Sequence, residues 1–173
     1  LPAEKARKVM VIGGGPAGME AARIAAARGH HVTLYEKKGT LGGLLDFAHT
    51  VKGPHENLQD FKNYLIRQLE ITGVKVETGV DIDAAKIQSE APDALILATG
   101  GLRDTLTVSG DGSAPVVDIE SAMFTEMGEN VIVYGSNAQA FDMALWLTVH
   151  KKHVTMVTPN AAEELDMQQS QHA

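Results

Sequence analysis

The 173-residue sequence contains no cysteine. That excludes a disulfide, a redox dithiol, a cysteine nucleophile and a cysteine-ligated iron–sulfur cluster within these residues. It also lacks an apolar run long enough to span a bilayer, and its opening residues show no signal-peptide pattern, which points to a soluble, cytoplasmic protein with no membrane partner. Basic residues are few: 15 Lys and Arg against 22 Asp and Glu leave a formal net charge of -7. Nucleic acid is thereby an improbable partner, because its phosphates need a neutralising basic patch. The seven histidines do not gather into a ligand set. His30 and His31 are adjacent and so point to opposite faces of a strand, while His150 and His153 flank a helix end, which suits surface or capping roles.

What the chain does have is glycine at regular spacing in its opening third. Residues 9–12 (Val-Met-Val-Ile) form an apolar run without polar alternation, as expected of a parallel strand covered on both faces. Gly13, Gly15 and Gly18 follow as G-x-G-x-x-G. Their tasks in a dinucleotide fold are the tight turn, the close approach of backbone to a pyrophosphate, and close packing of helix on strand. The alanine-rich stretch 19–28 predicts a helix whose N-terminal amides and dipole face that phosphate, and Gly29 suits its end. Residues 31–35 predict a second strand leading to Glu36, about 20 residues beyond the turn, where a carboxylate binds a ribose diol.

Further along, residues 37–45 read as a loop. Its paired Gly42 and Gly43 permit either a second approach to an extended cofactor or an ordinary turn. Gly53-Pro54 punctuates the chain. Residues 55–72 predict an amphipathic helix with Leu58, Phe61, Leu65 and Leu69 as its core stripe. Gly73 ends it, and a strand from Val74 runs into Thr78-Gly79-Val80. The polar residues 81–90 predict a turn and a short helix. Residues 94–98 predict another fully buried strand, ending at Thr99-Gly100, at the carboxyl edge where open α/β sheets bind ligands. Residues 102–120 read as a connection. Asp81 with Asp83, and Glu163 with Glu164, are carboxylate pairs in surface-type stretches and read as solvated, so no catalytic acid, base or nucleophile stands out.

A second strand, turn, helix and strand occupy residues 130–158, with a degraded fingerprint. Asn137 replaces the second glycine, Ala140 the third, and Thr158 stands where the acid would be. The unit is either a working nucleotide site or a Rossmann-like unit that binds nothing tightly. The expected architecture is α/β: a Rossmann-like parallel sheet with helices on both faces over residues 1–120, then the start of a second nucleotide-binding unit over 121–173 and a polar tail from 160.

These residues resemble the C-terminal nucleotide-binding region of the NADH:flavin oxidoreductases that include 2,4-dienoyl-CoA reductase and trimethylamine dehydrogenase. The resemblance rests on residues 11–22 (Val-Ile-Gly-Gly-Gly-Pro-Ala-Gly-Met-Glu-Ala-Ala), Tyr35-Glu36-Lys37, Leu41-Gly42-Gly43, the helix through Tyr64, Leu65, Arg67 and Gln68 into Gly73-Val74, and residues 93–100. It implies an FAD domain, incomplete here, interrupted by an NAD(P)H domain, in a larger polypeptide whose TIM barrel carries FMN and an iron–sulfur cluster and would be the partner of this region. By the same resemblance Gly13, Gly15, Pro16, Ala17 and Gly18 would cradle the pyrophosphate, and Glu36, with Lys37 beside it, would hold the adenosine ribose. Gly42 and Gly43 would pass near the cofactor, Val80 near the adenine, and Thr99 and Gly100 near the phosphate and ribityl portion. Leu44 departs from the Gln or Arg that relatives often carry. The second turn and residues 154–159 look like the trimethylamine dehydrogenase branch, in which ADP takes the place of FAD and no nicotinamide is used. FAD and ADP are thus both expected ligands of the first site, with the chain alone lacking turnover.

Overall fold

Among the described residues, 1–49 and 56–101 form one compact unit, and 50–53 with 106–159 a second. The computed structural model describes residues 1–53, 56–101 and 106–159. The polar tail and the Glu163–Glu164 pair lie outside the described residues.

The first unit is built on a four-stranded, all-parallel sheet in the order β3-β2-β1-β4. The strands are β1 (Lys8–Ile12), β2 (His31–Glu36), β3 (Lys75–Thr78) and β4 (Ala94–Leu97). Helix α1 (Pro16–Ala27) links β1 to β2. The crossover from β2 to β3 carries α2 (Leu45–Lys52) and α3 (Leu58–Thr72), and α4 (Ala84–Glu90) precedes β4. This is an α/β, Rossmann-like fold with a parallel sheet flanked by helices. Its strand order reverses between β1 and β4, so the carboxyl ends of these two strands border the crevice where such sheets take ligands.

Val9, Val11, Val32 and Leu34 on one sheet face pack with Met19 and Ala22 of α1 and Leu65 and Leu69 of α3. Met10 and Tyr35, on the opposite face, are buried too. The unalternating apolar run of β1 therefore has the physical cause expected of it, burial on both sides.

Three sequence-based expectations change. Residues 45–52 form a helix where only a loop and its glycine punctuation were expected. Helix α3 begins at Leu58 rather than at residue 55, with Asn57 in the left-handed region ahead of it; Pro54 and His55 lie outside the described residues. Of its expected core stripe, Leu65 and Leu69 are buried but Phe61 is 45% exposed, and the Lys62 side chain, only 14% exposed, continues the line of Leu65 and Leu69 instead. Finally, β4 is not buried on both faces. Ala94 and Ile96 pack on the core, but Leu95 is 39% and Leu97 67% exposed. β4 pairs only with β1 and so forms the edge of the sheet, with one face covered among the described residues.

The second unit contains β5 (Asn130–Tyr134) and β6 (His153–Val157), paired in parallel, joined by α5 (Ala138–Val149). A short 3-10 turn, Ser121–Phe124, precedes them. Met143, Ala144 and Leu147 on α5 are buried with Val133 of β5.

Candidate nucleotide site

The glycine turn joins the carboxyl end of β1 to α1, and the four glycines here are glycine for different reasons. Gly13 has φ of +110°, and a Cβ built on it would lie 2.2 Å from the Ala98 carbonyl oxygen. On Gly18 a Cβ would stand 1.8 Å from the Gly13 carbonyl oxygen. Gly14 is closed off by Leu41 and Glu36, whose side-chain atoms would be 2.5 Å and 2.9 Å from such a Cβ. These three are demanded by the protein's own packing.

Gly15 is different. Its φ of -75° and ψ of 179° are open to any residue, and a Cβ there would meet nothing closer than the Gly43 Cα at 3.8 Å. Folding alone does not require glycine at this position. The space in front of it adjoins the N-terminus of α1, which has Pro in its first turn, no acidic residue there and no side-chain cap. Helix geometry leaves the amides of Gly15, Ala17 and Gly18 without intrahelical acceptors, and Pro16 has no amide to satisfy.

Glu36 ends β2 and is buried. One carboxylate oxygen accepts from the Gly14 amide at 2.6 Å and the other from the Lys38 amide at 2.8 Å. A carboxylate has about four lone-pair positions, so acceptor capacity remains for hydroxyls. The backbone of Glu36 accepts from the Val80 amide at 3.0 Å, which brings Val80 alongside. On the other flank, Ala98 donates to Ile12, and the Thr99 amide nitrogen would lie 3.0 Å from a Cβ on Gly13. Gly100 has φ of +77°. Lys37 is exposed.

The Gly42–Gly43 turn closes over this cradle. The Gly42 amide donates to the Gly14 carbonyl at 2.9 Å, and Gly43 lies against Gly15 and Pro16. Gly13, Gly15, Pro16, Ala17, Gly18, Glu36, Gly42, Gly43, Val80, Thr99 and Gly100 thus all lie at one edge of the sheet.

The second unit repeats the strand–turn–helix but closes it internally. Gly135 has φ of +148°. Asn137 caps α5, its side-chain oxygen accepting from the Ala140 amide at 3.0 Å. An amide that would face a phosphate is therefore already bonded. Among the described residues no group of three or more His, Asp or Glu side chains could hold a metal ion.

A glycine-lined cradle at the carboxyl edge of a parallel sheet defines a Rossmann-like nucleotide-binding class. The model of the pyridine nucleotide-disulphide oxidoreductases matches residues 7–172, and the chain belongs to that family of FAD/NAD(P)-binding domains. Among its relatives, it is 38% identical over 161 residues to a cinnamate reductase of Clostridium sporogenes, covering 90% of this chain and 23% of that protein. It is 36% identical over 168 residues to an NADH oxidase of Thermoanaerobacter brockii, covering 94% and 26%. In structure it is similar to 2-naphthoyl-CoA reductase, with a TM-score of 0.85 at 30% identity over 99% of this chain and 26% of that one. The chain spans about a quarter of the length of these curated relatives. These findings bear out the resemblance to flavin-dependent oxidoreductases. The dithiol chemistry in the family's name has no counterpart in these residues, which include no cysteine.

Sequence reasoning missed Gly14, whose amide anchors Glu36, and Leu41, which walls it in. The run of three glycines was a visible signal for the first.

Proposed function

We propose that this chain is the FAD-binding region of a flavin-dependent NAD(P)H oxidoreductase, passing electrons within a larger enzyme that also carries an FMN and iron–sulfur TIM barrel. The observation that supports it most is Gly15, a glycine for which the fold has no use and a pyrophosphate does. In this reading the amides of Gly15, Ala17 and Gly18 hold the pyrophosphate. Glu36, already oriented by Gly14 and Lys38, accepts from the adenosine ribose, Val80 borders the adenine, and Thr99 and Gly100 border the ribityl chain. Gly42 and Gly43 keep water from the phosphates, and Lys37 is the outermost contact. Bound FAD would supply reversible hydride and electron acceptance. The chain by itself is expected to lack turnover, and steady oxidation of NADH at about 1 per second or more, the low end for enzymes, would overturn that.

The test is the identity of the tightly held ligand. Purified protein should be yellow and release FAD on denaturation; a protein that shows no saturable binding of FAD or ADP would overturn the reading. A second reading, a structural ADP-binding domain without nicotinamide or redox role, is favoured by the Asn137 cap on Ala140. Colourless protein releasing ADP would decide for it.

In either reading the second unit takes NADH or NADPH weakly. Asn137→Gly should cost only about a few tenths of a kcal/mol as a helix cap while clearing the side chain from the turn, the Ala140 amide keeping its 3.0 Å bond to the backbone carbonyl of residue 137. Titration with NADH is expected to show weak binding by the wild-type chain and severalfold tighter binding by the variant. Tight wild-type binding that the substitution destroys would refute this account of the turn.

A further inference from the structure

Lys62 sits where α3 should present an apolar side chain. Residues 62, 65 and 69 share the buried face of the helix, and Leu65 and Leu69 are in the core, yet the position one turn earlier is a lysine. Only 14% of its side chain is exposed. The aliphatic stem lies over Gly42, with Cδ 2.7 Å from where a Cβ on that glycine would be. Beyond Gly42 the ammonium pairs at 2.5 Å with Asp46, in the first turn of α2. Gly42 in turn donates to the Gly14 carbonyl, and Gly43 rests against Gly15.

A lysine whose stem is covered pays side-chain entropy to order it, and its ammonium stays at the surface end of the stem, where the Asp46 carboxylate is half exposed. An apolar residue would satisfy the core at this position. It could not reach across Gly42 to a group on α2. The Gly42–Gly43 turn has glycine φ values of +126° and +59°, so its own backbone gives it little stiffness. Among the described residues, one hydrogen bond from the Gly42 amide to the Gly14 carbonyl ties it to the glycine turn.

We propose that Lys62 is a positioning residue for the dinucleotide. Clasped to Asp46, it straps the Gly42–Gly43 turn onto Gly14 and Gly15 and so fixes the wall of the cradle at the pyrophosphate. The proposal rests on the nucleotide-binding reading above and adds to it a residue outside the glycine fingerprint. The ion pair, rather than the stem alone, supplies the strap. Arginine at 62 therefore keeps the function and methionine, which fills the same space, does not.

The experiment compares the wild-type chain with Lys62→Met, Lys62→Arg and Asp46→Asn. Amide hydrogen exchange at Gly42 is measured without ligand, and affinity is measured for ADP, FAD and adenosine. Faster exchange at Gly42 is expected in Lys62→Met and Asp46→Asn. Their affinity for ADP and FAD should fall about tenfold, roughly 1.4 kcal/mol, with adenosine unaffected because it has no phosphate for the turn to enclose. Lys62→Arg should restore both readouts, which a loss of packing would not predict. Unchanged Gly42 exchange in Lys62→Met, or wild-type ADP affinity in a protein that does bind ADP, overturns the strap alone. Failure of the wild-type chain to bind either nucleotide overturns the site reading and the positioning role with it.

Discussion

Gly15→Val is expected to abolish high-affinity FAD and ADP binding while leaving the chain folded. The substitution is clean because the protein does not use the absence of a Cβ at this position. The backbone is extended at φ -75° and ψ 179°, and the nearest atom to a new Cβ is 3.8 Å away. Valine is a poorer helix cap than glycine, which costs about 1 kcal/mol of stability. Its methyl groups fill the space in front of the α1 amides, and a loss of two orders of magnitude in affinity, about 2.8 kcal/mol, is the expected result. Thermal unfolding and titration with each nucleotide check the two halves. Gly18→Val is the contrasting control, since its Cβ would overlap the Gly13 carbonyl oxygen at 1.8 Å and the strand–turn–helix should fail to form. A folded Gly15→Val that binds as tightly as wild type would place the phosphate elsewhere.

Glu36→Ala should damage both the ribose contact and the loop that surrounds it. The carboxylate is buried and accepts from the Gly14 and Lys38 amides. Its removal leaves a buried Gly14 donor without this partner, a cost of about 1–3 kcal/mol in stability. Affinity should fall by about tenfold or more for the lost ribose acceptor. Comparing ADP with 2′-deoxy-ADP separates the two effects. Wild type should prefer ADP, whereas the variant should bind both alike, because the group that distinguishes them is gone. A preference for ADP that survives in Glu36→Ala would assign the ribose to another residue.

Both predictions rest on features that differ in how far the sequence exposed them. The strand, turn and helix from Lys8 to Ala27 were legible because each residue's constraint is local. An unalternating apolar run, glycines at fixed spacing and an alanine-rich helix former need no knowledge of distant contacts. Glu36 was legible for a related reason, lying at the end of the next strand. Which glycine the fold itself requires, and which it does not, was not legible. Gly13 and Gly18 are decided by the Ala98 and Gly13 carbonyls, whereas Gly15 faces open space, and only coordinates separate these cases.

The misread elements share a cause. Leu65 and Leu69 are in the core as expected but Phe61 is exposed, because neighbouring helix positions lie about 100° apart and which flank of the stripe is covered is set by what the helix packs on. The all-apolar composition of β4 suggested burial on both faces, yet its place at the sheet edge leaves Leu95 and Leu97 exposed among the described residues. The short helix α2 carries too few turns for its periodicity to rise above the glycines around it. By itself the sequence determined the parallel-sheet class, the place of the glycine turn, the acid at the second strand and the family, because spacing within a single stretch encodes them. Tertiary structure alone decided that Gly14 anchors Glu36, that Asn137 closes the second turn on itself, and that Lys62 reaches Asp46 across Gly42, because each depends on which atoms meet in space.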